Sequence, residues 1–208
     1  MINVAIIDYG IGNIYSVQKA IEFIGHKPVV TSDPEIIVNS SHSILPGVGA
    51  FGVAMSELSK RSLHEVVKEI SFKGNHLLGI CLGMQLLLDK SDEFGNNKGL
   101  GIIPGKVVKI PNKLKNGKSL KIPNIGWKNI TLTRENKLFD NITNLDTFYF
   151  THSYMVVTDK DENSIAKGIY GDQNFDAVIK INNIVGVQFH PEKSGNSGLN
   201  IIKNFIEK

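Results

Sequence analysis

Cysteine is almost absent from this sequence, and arginine is scarce. One cysteine, Cys81, occurs among 208 residues, which excludes an intrachain disulfide framework. Only two of the 23 basic residues are arginine, and this argues against bidentate recognition of bases and phosphates. The net charge of +3 is too close to balance to indicate a nucleic-acid partner by itself.

Long apolar runs and a leader pattern are also missing. No run approaches the roughly 20 apolar residues that span a bilayer, and residues 1–8 lack the charged segment that begins a signal peptide. Hydrophobic residues make up 41% and charged residues 21% of the chain, so extended disorder is not expected. We expect a cytoplasmic protein without membrane contact, folded as one domain over residues 1–208.

The first half of the chain alternates short apolar runs with amphipathic segments. Apolar runs typical of buried parallel strands occur at residues 4–7, 27–31, 42–45 and 76–80. Helical segments are predicted at residues 14–24, from 34 onward, at 53–71 with a break near residues 59–62, and at 82–88. This alternation favours a parallel sheet with helices on both faces.

The second half predicts further strands, separated by turns that carry Asn, Asp and Gly. The predicted strands are residues 106–110, 128–133, 147–157, 164–170, 175–181 and 184–189, and a last helix covers 197–207. Several of these strands form hairpins, so we expect an antiparallel extension beside the parallel sheet. Residues 109–121 hold five lysines and no acid, which fits either a solvated hairpin or part of a partner surface.

Cys81 lies between an apolar strand and the start of a helix, in the run GICLGMQ of residues 79–85. A nucleophile at such a junction sits on a sharp turn, where Gly79 and Gly83 allow close backbone approach. The helix N-terminus favours the thiolate and offers the Leu82 N–H group to a developing oxyanion. Taken alone, a buried structural cysteine explains the pattern equally well.

A second motif, HPE at residues 190–192, follows an apolar strand. Pro191 stiffens the turn, and the carboxylate of Glu192 is close enough in sequence to reach the His190 imidazole. Cys81, His190 and Glu192 then supply a nucleophile, a general base and an orienting carboxylate. A third and weaker signal is the loop PGVG at residues 46–49, whose N–H groups are candidates for completing an oxyanion hole opposite Leu82.

With these motifs in place, the chain resembles the class I glutamine amidotransferases along its whole length. The marks of that family are the GICLGMQ run and the HPE motif. The resemblance implies an α/β, flavodoxin-like fold and a stand-alone glutaminase subunit, with no metal and no organic cofactor. Within the family the chain is most similar to the HisH group, on motifs at residues 8–13, 45–52, 126–127, 149–154 and 190–195.

The resemblance implies a role for each matched residue. Cys81 would attack the side-chain amide of L-glutamine and form a glutamyl thioester. His190, oriented by Glu192, would protonate the leaving ammonia and later activate water. Oxyanion N–H groups would come from Val48 and Leu82. The residues implied to hold glutamine are Gln85, Glu93, His152, Ser153 and Tyr154.

The resemblance also implies a partner. In the HisH group the partner is a (β/α)8 barrel, HisF, which uses the ammonia to make imidazole glycerol phosphate and aminoimidazole carboxamide ribotide in histidine biosynthesis. The residues implied to face this partner or the ammonia exit are Asn13, Trp127, Tyr149 and Lys193.

One segment departs from the pattern of the HisH group, where PHMGWN is usual: residues 123–128 read PNIGWK. Since partner specificity resides in such contacts, the pathway has an alternative, a HisH-like paralogue that supplies ammonia for surface-sugar amidination or amination. Two other classes also remain. A cysteine hydrolase or peptidase could use the same elbow, and a non-catalytic binding module would give the triad no purpose.

Overall fold

A computed structural model describes residues 3–208 of the chain. Met1 and Ile2 lie outside the described residues. They are the first two positions of the predicted domain and of the segment in which we expect no signal peptide. The helices are α1 (Ile14–Phe23), α2 (Pro34–Asn39), α3 (Phe51–Lys60), α4 (Leu63–Lys73), α5 (Leu82–Leu86) and α6 (Gly195–Glu207). Within residues 3–208, no helix is long and apolar enough to cross a membrane.

Fourteen strands accompany these helices in the described chain. They are β1 (Val4–Ile7), β2 (Pro28–Thr31), β3 (His42–Leu45), β4 (His76–Ile80), β5 (Lys90–Ser91), β6 (Asn97–Lys98), β7 (Gly105–Lys109), β8 (Asn124–Asn129), β9 (Thr131–Leu132), β10 (Thr147–His152), β11 (Tyr154–Thr158), β12 (Ser164–Tyr170), β13 (Gln173–Ile181) and β14 (Ile184–Val187).

The main sheet has eight strands in the order β2-β1-β3-β4-β14-β13-β12-β9. Its first five strands are parallel neighbours, in an arrangement equivalent to the 2-1-3-4-5 order of doubly wound flavodoxin-like sheets. The next three strands pair antiparallel. The predicted parallel sheet with an antiparallel extension from the second half of the chain is therefore confirmed.

Helices cover both faces of the sheet, and this explains the continuous apolar runs of its central strands. Neighbouring residues of β1 illustrate the point. Ile6 packs in a core with Val17 of α1 and Ile202 of α6, whereas Ile7 packs in the opposite core, which contains apolar residues of α2, α3 and α4. Each residue of β1 is buried whichever face of the sheet it points to, so the strand does not alternate between apolar and polar residues.

Two predictions for the second half were wrong in detail. Residues 147–157 form two strands, because the chain turns at Ser153: β10 pairs with β8 in a two-stranded ribbon, and β11 pairs with β7 in a separate four-stranded sheet. The turn is held by the His152 ring, whose Nδ1 lies 2.8 Å from the Tyr154 carbonyl oxygen. The strand expected from residue 128 begins earlier, at Asn124. In the lysine-rich segment, a bridge between Lys113 and Ser119 agrees with a hairpin.

Candidate active site

Cys81 occupies the single residue between β4 and α5. Its φ of +53° lies in the left-handed region, which a non-glycine residue adopts at a cost of about 1–3 kcal/mol. The backbone is held there by the Cys81 N–H group, which donates to the Val187 carbonyl oxygen at 2.8 Å. The residue is 7% exposed and lines a cavity. This is the strained nucleophile elbow that the sequence predicted.

Three glycines make this elbow possible by close backbone packing. A Cβ atom on Gly83 would overlap the carbonyl oxygen of Leu45, and one on Gly79 would lie 2.7 Å from the carbonyl oxygen of Gly83. A Cβ atom on Gly47 would lie 2.6 Å from the Gly83 nitrogen. Side chains at these positions would therefore push α5 away from the strand ends and displace the cysteine.

His190 reaches Cys81 because β14 lies beside β4 in the sheet. The two strands run parallel with Val187 opposite Ile80, so the segments that follow them leave the same edge. The His190 N–H group donates to the Tyr149 carbonyl oxygen at 2.9 Å, and the His190 carbonyl oxygen accepts a bond from the Ser194 hydroxyl at 2.6 Å. The backbone around the imidazole is thus fixed from two elements.

The imidazole of His190 lies between a thiol and a carboxylate. Its Nδ1 is 2.8 Å from Glu192 Oε1, and both side chains are essentially inaccessible to solvent; the imidazole lines the same cavity as the Cys81 thiol. Burial lowers the pKa of His190, but the hydrogen bonds and negative charges of Cys81 and Glu192 outweigh it and raise the pKa to about 10. At neutral pH the imidazole is therefore held as the imidazolium, between the sulfur of Cys81 and the carboxylate of Glu192.

A cavity of about 310 Å³ opens over these groups, within the size range of small-molecule sites. It is lined by Val48, Gly49, Cys81, Leu82, Gln85, Glu93, Pro123, Thr151, His152, Ser153, Tyr154 and His190. Nearly all the residues predicted to react with, polarise or bind a substrate are thus brought to one cavity. Glu192 is the exception, because it stands behind His190 and contacts the imidazole.

Comparison with protein families decides what kind of site this is. Residues 5–208 match the family model of the class-I glutamine amidotransferases. The chain belongs to the class I glutamine amidotransferase family. The resemblance to this family was predicted from two motifs, the nucleophile elbow and the His–Glu pair. The family match confirms both the predicted family and the predicted enzyme class.

Curated relatives in this amidotransferase family are similar along the full chain. A protein of Chlorobium chlorochromatii named imidazole glycerol phosphate synthase subunit HisH is 46% identical over 98% of this chain and 99% of its own length. The HisH subunit of Sulfurimonas denitrificans is 44% identical over 98% of this chain and 97% of its own length.

Solved structures agree on the amidotransferase fold. PurLQS from Thermotoga maritima matches with a TM-score of 0.73 at 17% identity, covering 98% of this chain and 97% of that one. The glutaminase domain of CTPS from Trypanosoma brucei matches with a TM-score of 0.65 at 14% identity, covering 100% and 95%. At these identities the likeness shows the fold alone, and it confirms the predicted α/β fold class.

Two polar side chains of the amidotransferase cavity are held by the backbone. Gln85 Nε2 donates to the Tyr154 carbonyl oxygen at 3.2 Å. Glu93 Oε2 accepts a bond from the Phe51 N–H group at 2.6 Å, at the first residue of α3, where a helix favours negative charge. These bonds hold the side-chain amide of Gln85 and the carboxylate of Glu93 in position on the cavity wall.

His152 is a neutral histidine with a defined tautomer. Its Nδ1 faces the Tyr154 carbonyl oxygen, an acceptor, so Nδ1 carries the proton. Its Nε2 then accepts a hydrogen bond from Asn124 Nδ2 at 2.8 Å. Burial lowers the pKa of His152 to about 4, with the bond to Tyr154 opposing this shift. His152 therefore orders the cavity wall as a neutral ring rather than a charged one.

The four residues predicted to face a partner lie outside the cavity wall. Trp127 is 54% exposed and meets the Tyr149 ring edge-on, with 6.0 Å between centroids, on the β8–β10 ribbon. Lys193 is exposed beside the triad. Asn13 donates from Nδ2 to Glu192 Oε1 at 3.0 Å, so it contacts the third member of the triad, a role that the sequence did not predict.

Sequence reasoning missed two buried polar residues next to the cysteine. Tyr9 donates its hydroxyl to the Pro46 carbonyl oxygen at 2.8 Å; burial, and secondly the charge of Cys81, raises the Tyr9 pKa well above its usual range. Gln188 is fully buried, with Nε2 3.8 Å from Cys81 Sγ. The sequence could have indicated Gln188, because a polar amide at the end of an apolar strand is unusual. No neighbouring residue distinguished Tyr9 from an ordinary core aromatic.

Proposed function

We propose that this chain is the glutaminase subunit of an imidazole glycerol phosphate synthase. It hydrolyses L-glutamine at Cys81 and passes ammonia to a HisF-type (β/α)8 subunit, which forms imidazole glycerol phosphate and aminoimidazole carboxamide ribotide in histidine biosynthesis. One observation carries the proposal: Cys81 and His190 share a cavity with Glu192 bonded behind the imidazole. The full-length similarity to subunits named HisH supports the pathway.

The proposal includes the organisation of the chain. Residues 1–208 act as one glutaminase domain, in the cytoplasm, with no cofactor of its own. Every group that the chemistry needs is a side chain or a backbone N–H group of this chain, as the triad and the cavity wall indicate.

The first half of the proposed reaction forms a thioester. The Cys81 thiolate attacks the side-chain amide carbon of glutamine, and negative charge develops on the amide oxygen. The N–H groups of Leu82, at the start of α5, and of Val48 stabilise that charge. The His190 imidazolium gives its proton to the leaving nitrogen, so ammonia departs and the glutamyl group stays on sulfur.

The second half restores the enzyme. Neutral His190 takes a proton from water, and the resulting hydroxide attacks the thioester carbon, releasing glutamate and the Cys81 thiolate. The carboxylate of Glu192, 2.8 Å from His190 Nδ1, keeps Nδ1 protonated and orients Nε2 toward the reacting atoms. Glu192 also stabilises the imidazolium whenever it forms.

Glutamine recognition falls to the polar wall of the cavity. In the proposed complex the carboxylate of Glu93 accepts hydrogen bonds from the α-ammonium group of glutamine, and the side chain of Gln85 contacts the rest of the substrate's amino-acid end. The backbone from His152 to Tyr154 closes the pocket. This wall belongs to β10 and β11, so it is continuous with the exposed ribbon.

We place the partner on the β8–β10 ribbon and its surroundings. Ile125 and Trp127 are 55% and 54% exposed, and Tyr149 lies against Trp127. Exposed apolar residues grouped in this way are typical of protein interfaces. Asn13 and Lys193 extend the proposed surface past Glu192, where ammonia leaves.

The Val48 loop gives the partner a means of control. Val48 is 40% exposed in the loop between β3 and α3, and glycines on either side let its peptide reorient. Loss of one oxyanion donor lowers rates about 100- to 1000-fold in enzymes studied. We therefore expect slow glutamine hydrolysis by the isolated chain and a stimulation of that order when the partner and its acceptor bind.

The test measures glutamate release by the full chain, alone and with a HisF-type subunit plus its phosphorylated ribotide acceptor. Stimulated hydrolysis that Cys81→Ala and His190→Ala abolish supports the proposal, with His64→Ala, a histidine outside the cavity wall, as the control. Unstimulated turnover, or full activity of Cys81→Ala, contradicts it.

Two further measurements separate the alternatives. A glutamine-mimicking electrophile should label Cys81, and excess glutamine should prevent this; labelling that glutamine does not affect would favour a different hydrolase. Purification of the chain from its native cell should recover a barrel subunit, and recovery of a sugar-modifying ligase instead would establish the surface-sugar pathway. The segment with Asn124 and Ile125 is where such a difference in partner would arise.

A further inference from the structure

We infer that Gln188 is a positioning residue for the sulfur of Cys81 and connects that sulfur to Gln85 on the substrate-binding wall. The inference rests on the proposed function, because it assigns Gln188 a part in glutamine hydrolysis at Cys81. Its basis is a chain of hydrogen bonds whose direction the structure determines.

Gln188 is fully buried at the end of β14. Its backbone N–H group donates to the Ala177 carbonyl oxygen of β13 at 2.9 Å, which holds the residue in the sheet beside the elbow. Burying a primary amide without hydrogen-bond partners is unfavourable. The side chain must therefore be satisfied by groups inside the protein, and both of its ends are.

The orientation of the Gln188 amide follows from a backbone carbonyl. The Tyr154 carbonyl oxygen can only accept, so the Gln85 side-chain atom 3.2 Å from it is the Nε2 donor. The same nitrogen lies 3.1 Å from Gln188, which must present its Oε1 acceptor there. Gln188 Nε2 is thereby directed to Cys81 Sγ at 3.8 Å.

A neutral donor supplies something that His190 cannot. The imidazolium of His190 stabilises the thiolate, but it gives up its proton when ammonia leaves. An amide N–H group has no proton to transfer near neutral pH, so Gln188 holds the sulfur through both halves of the reaction. It also stabilises the sulfur when that atom leaves as thiolate from the thioester.

Few other ionisable groups face this sulfur. His190, backed by Glu192, lies at the segment after β14, and the Tyr9 phenol approaches from the segment after β1. The other ionisable side chains on the shared cavity wall are Glu93, Tyr154 and the neutral His152. A carboxylate in place of the Gln188 amide would therefore add a negative charge beside the thiolate without another cation to offset it.

The decisive variant is Gln188→Glu, which keeps the side-chain size and the acceptor for Gln85 while replacing the donor that faces sulfur. In the full chain without partner, we expect the pH profile of Cys81 alkylation by iodoacetamide to move about one unit to higher pH, which is a rate about tenfold lower on its rising limb. With partner and acceptor, we expect kcat for glutamine to fall at least tenfold and KM to stay within twofold.

Gln188→Asn is a second, neutral variant, whose shortened amide cannot reach both Gln85 and the sulfur. It should also lower kcat, and it keeps the test decisive if Gln188→Glu does not fold. The control Gln18→Glu, at a half-buried residue of α1, should leave both measurements unchanged. If every variant that folds alkylates with the wild-type pH profile and retains kcat, the inference is overturned.

The two readouts separate this inference from the proposed function. Alkylation of Cys81 does not require glutamine turnover or a partner. A shifted alkylation profile in a chain that never hydrolyses glutamine would support Gln188 and overturn the proposed function. Normal hydrolysis with an unshifted profile and unchanged kcat would do the opposite.

Discussion

Removing one hydroxyl group, in Tyr9→Phe, tests how the loop beside the nucleophile is held. The Tyr9 hydroxyl donates to the Pro46 carbonyl oxygen at 2.8 Å, and the bond is buried. Pro46 precedes Gly47, which packs closely on Gly83, so this bond fixes the base of the loop that carries Val48. The phenol stays protonated near neutral pH, because burial raises its pKa.

The expected cost follows from the burial of both partners. Phenylalanine keeps the apolar packing of the ring, so the change removes a hydrogen bond and leaves a carbonyl without its donor. Such a loss costs about 1–3 kcal/mol of unfolding free energy. Taking about 2 kcal/mol, and about 2–4 °C per kcal/mol for a chain of this size, Tm should fall by about 4–8 °C.

Thermal unfolding followed by circular dichroism, with urea titration at 25 °C, measures this loss. Tyr170→Phe is the matched control, because the Tyr170 hydroxyl donates to the Lys121 carbonyl oxygen at an exposed site, and we expect less than about 0.5 kcal/mol there. Stimulated glutamine hydrolysis should fall in Tyr9→Phe, by up to about 100-fold if the Val48 donor is lost. Equal stability of Tyr9→Phe and wild type would refute the reasoning.

Three other predictions concern the elbow, an acid-sensitive pair and the ribbon. Gly83→Ala should cost at least about 1–3 kcal/mol, measured by urea unfolding, because its Cβ atom would overlap the Leu45 carbonyl oxygen. Burial, then the charges of His76 and His26, lowers the pKa of His42 to about 4. Between pH 6.5 and 4 the unfolded chain therefore binds more protons than the folded chain, and the free energy of unfolding falls as the pH drops through that window. His42→Phe should reduce this loss of unfolding free energy by about 1–2 kcal/mol. Trp127→Ala should raise the partner concentration for half-maximal stimulation at least about tenfold, measured by titration of glutaminase activity.

Each of these has a control within the same chain. Gly52→Ala places its Cβ atom against the end of the Asn97 side chain, so it should cost far less than Gly83→Ala; equal costs would contradict the packing argument. The His42 ring stacks on the His76 ring at 4.6 Å between centroids. If His42→Phe loses as much stability as the wild type between pH 6.5 and 4, this histidine pair is not the cause of the acid sensitivity. Trp127→Ala should leave Tm within about 2 °C, since half of the side chain is exposed, and unaltered stimulation would remove Trp127 from the interface.

Much of the architecture was predictable because its causes are local. A continuous apolar run such as residues 4–7 indicates a strand buried on both faces, and the Asp33–Pro34 pair indicates a helix start, where the Asp33 carboxylate indeed caps two N–H groups. The break at Ser153 was not predictable, since the polar residues 151–153 within an otherwise largely apolar and aromatic run give no sign that its two halves pair with different sheets.

The candidate site divides in the same way. From sequence alone it was possible to pick out Cys81, His190 and Glu192, because nucleophilic catalysis needs those residue types and each stands in a local strand–turn pattern that neighbouring residues impose. Parallel pairing of β4 and β14 then brought the two motifs together.

Only the tertiary structure decided which polar side chains support that chemistry. Tyr9, Asn124 and Gln188 find their partners 28 to 107 positions away, and nothing in their immediate neighbours records those contacts. A buried hydrogen bond depends on where two distant backbones meet and on which atom each side chain has left to offer. That information exists only once the sheet has formed and water has been excluded from the space between its strand ends and the ribbon.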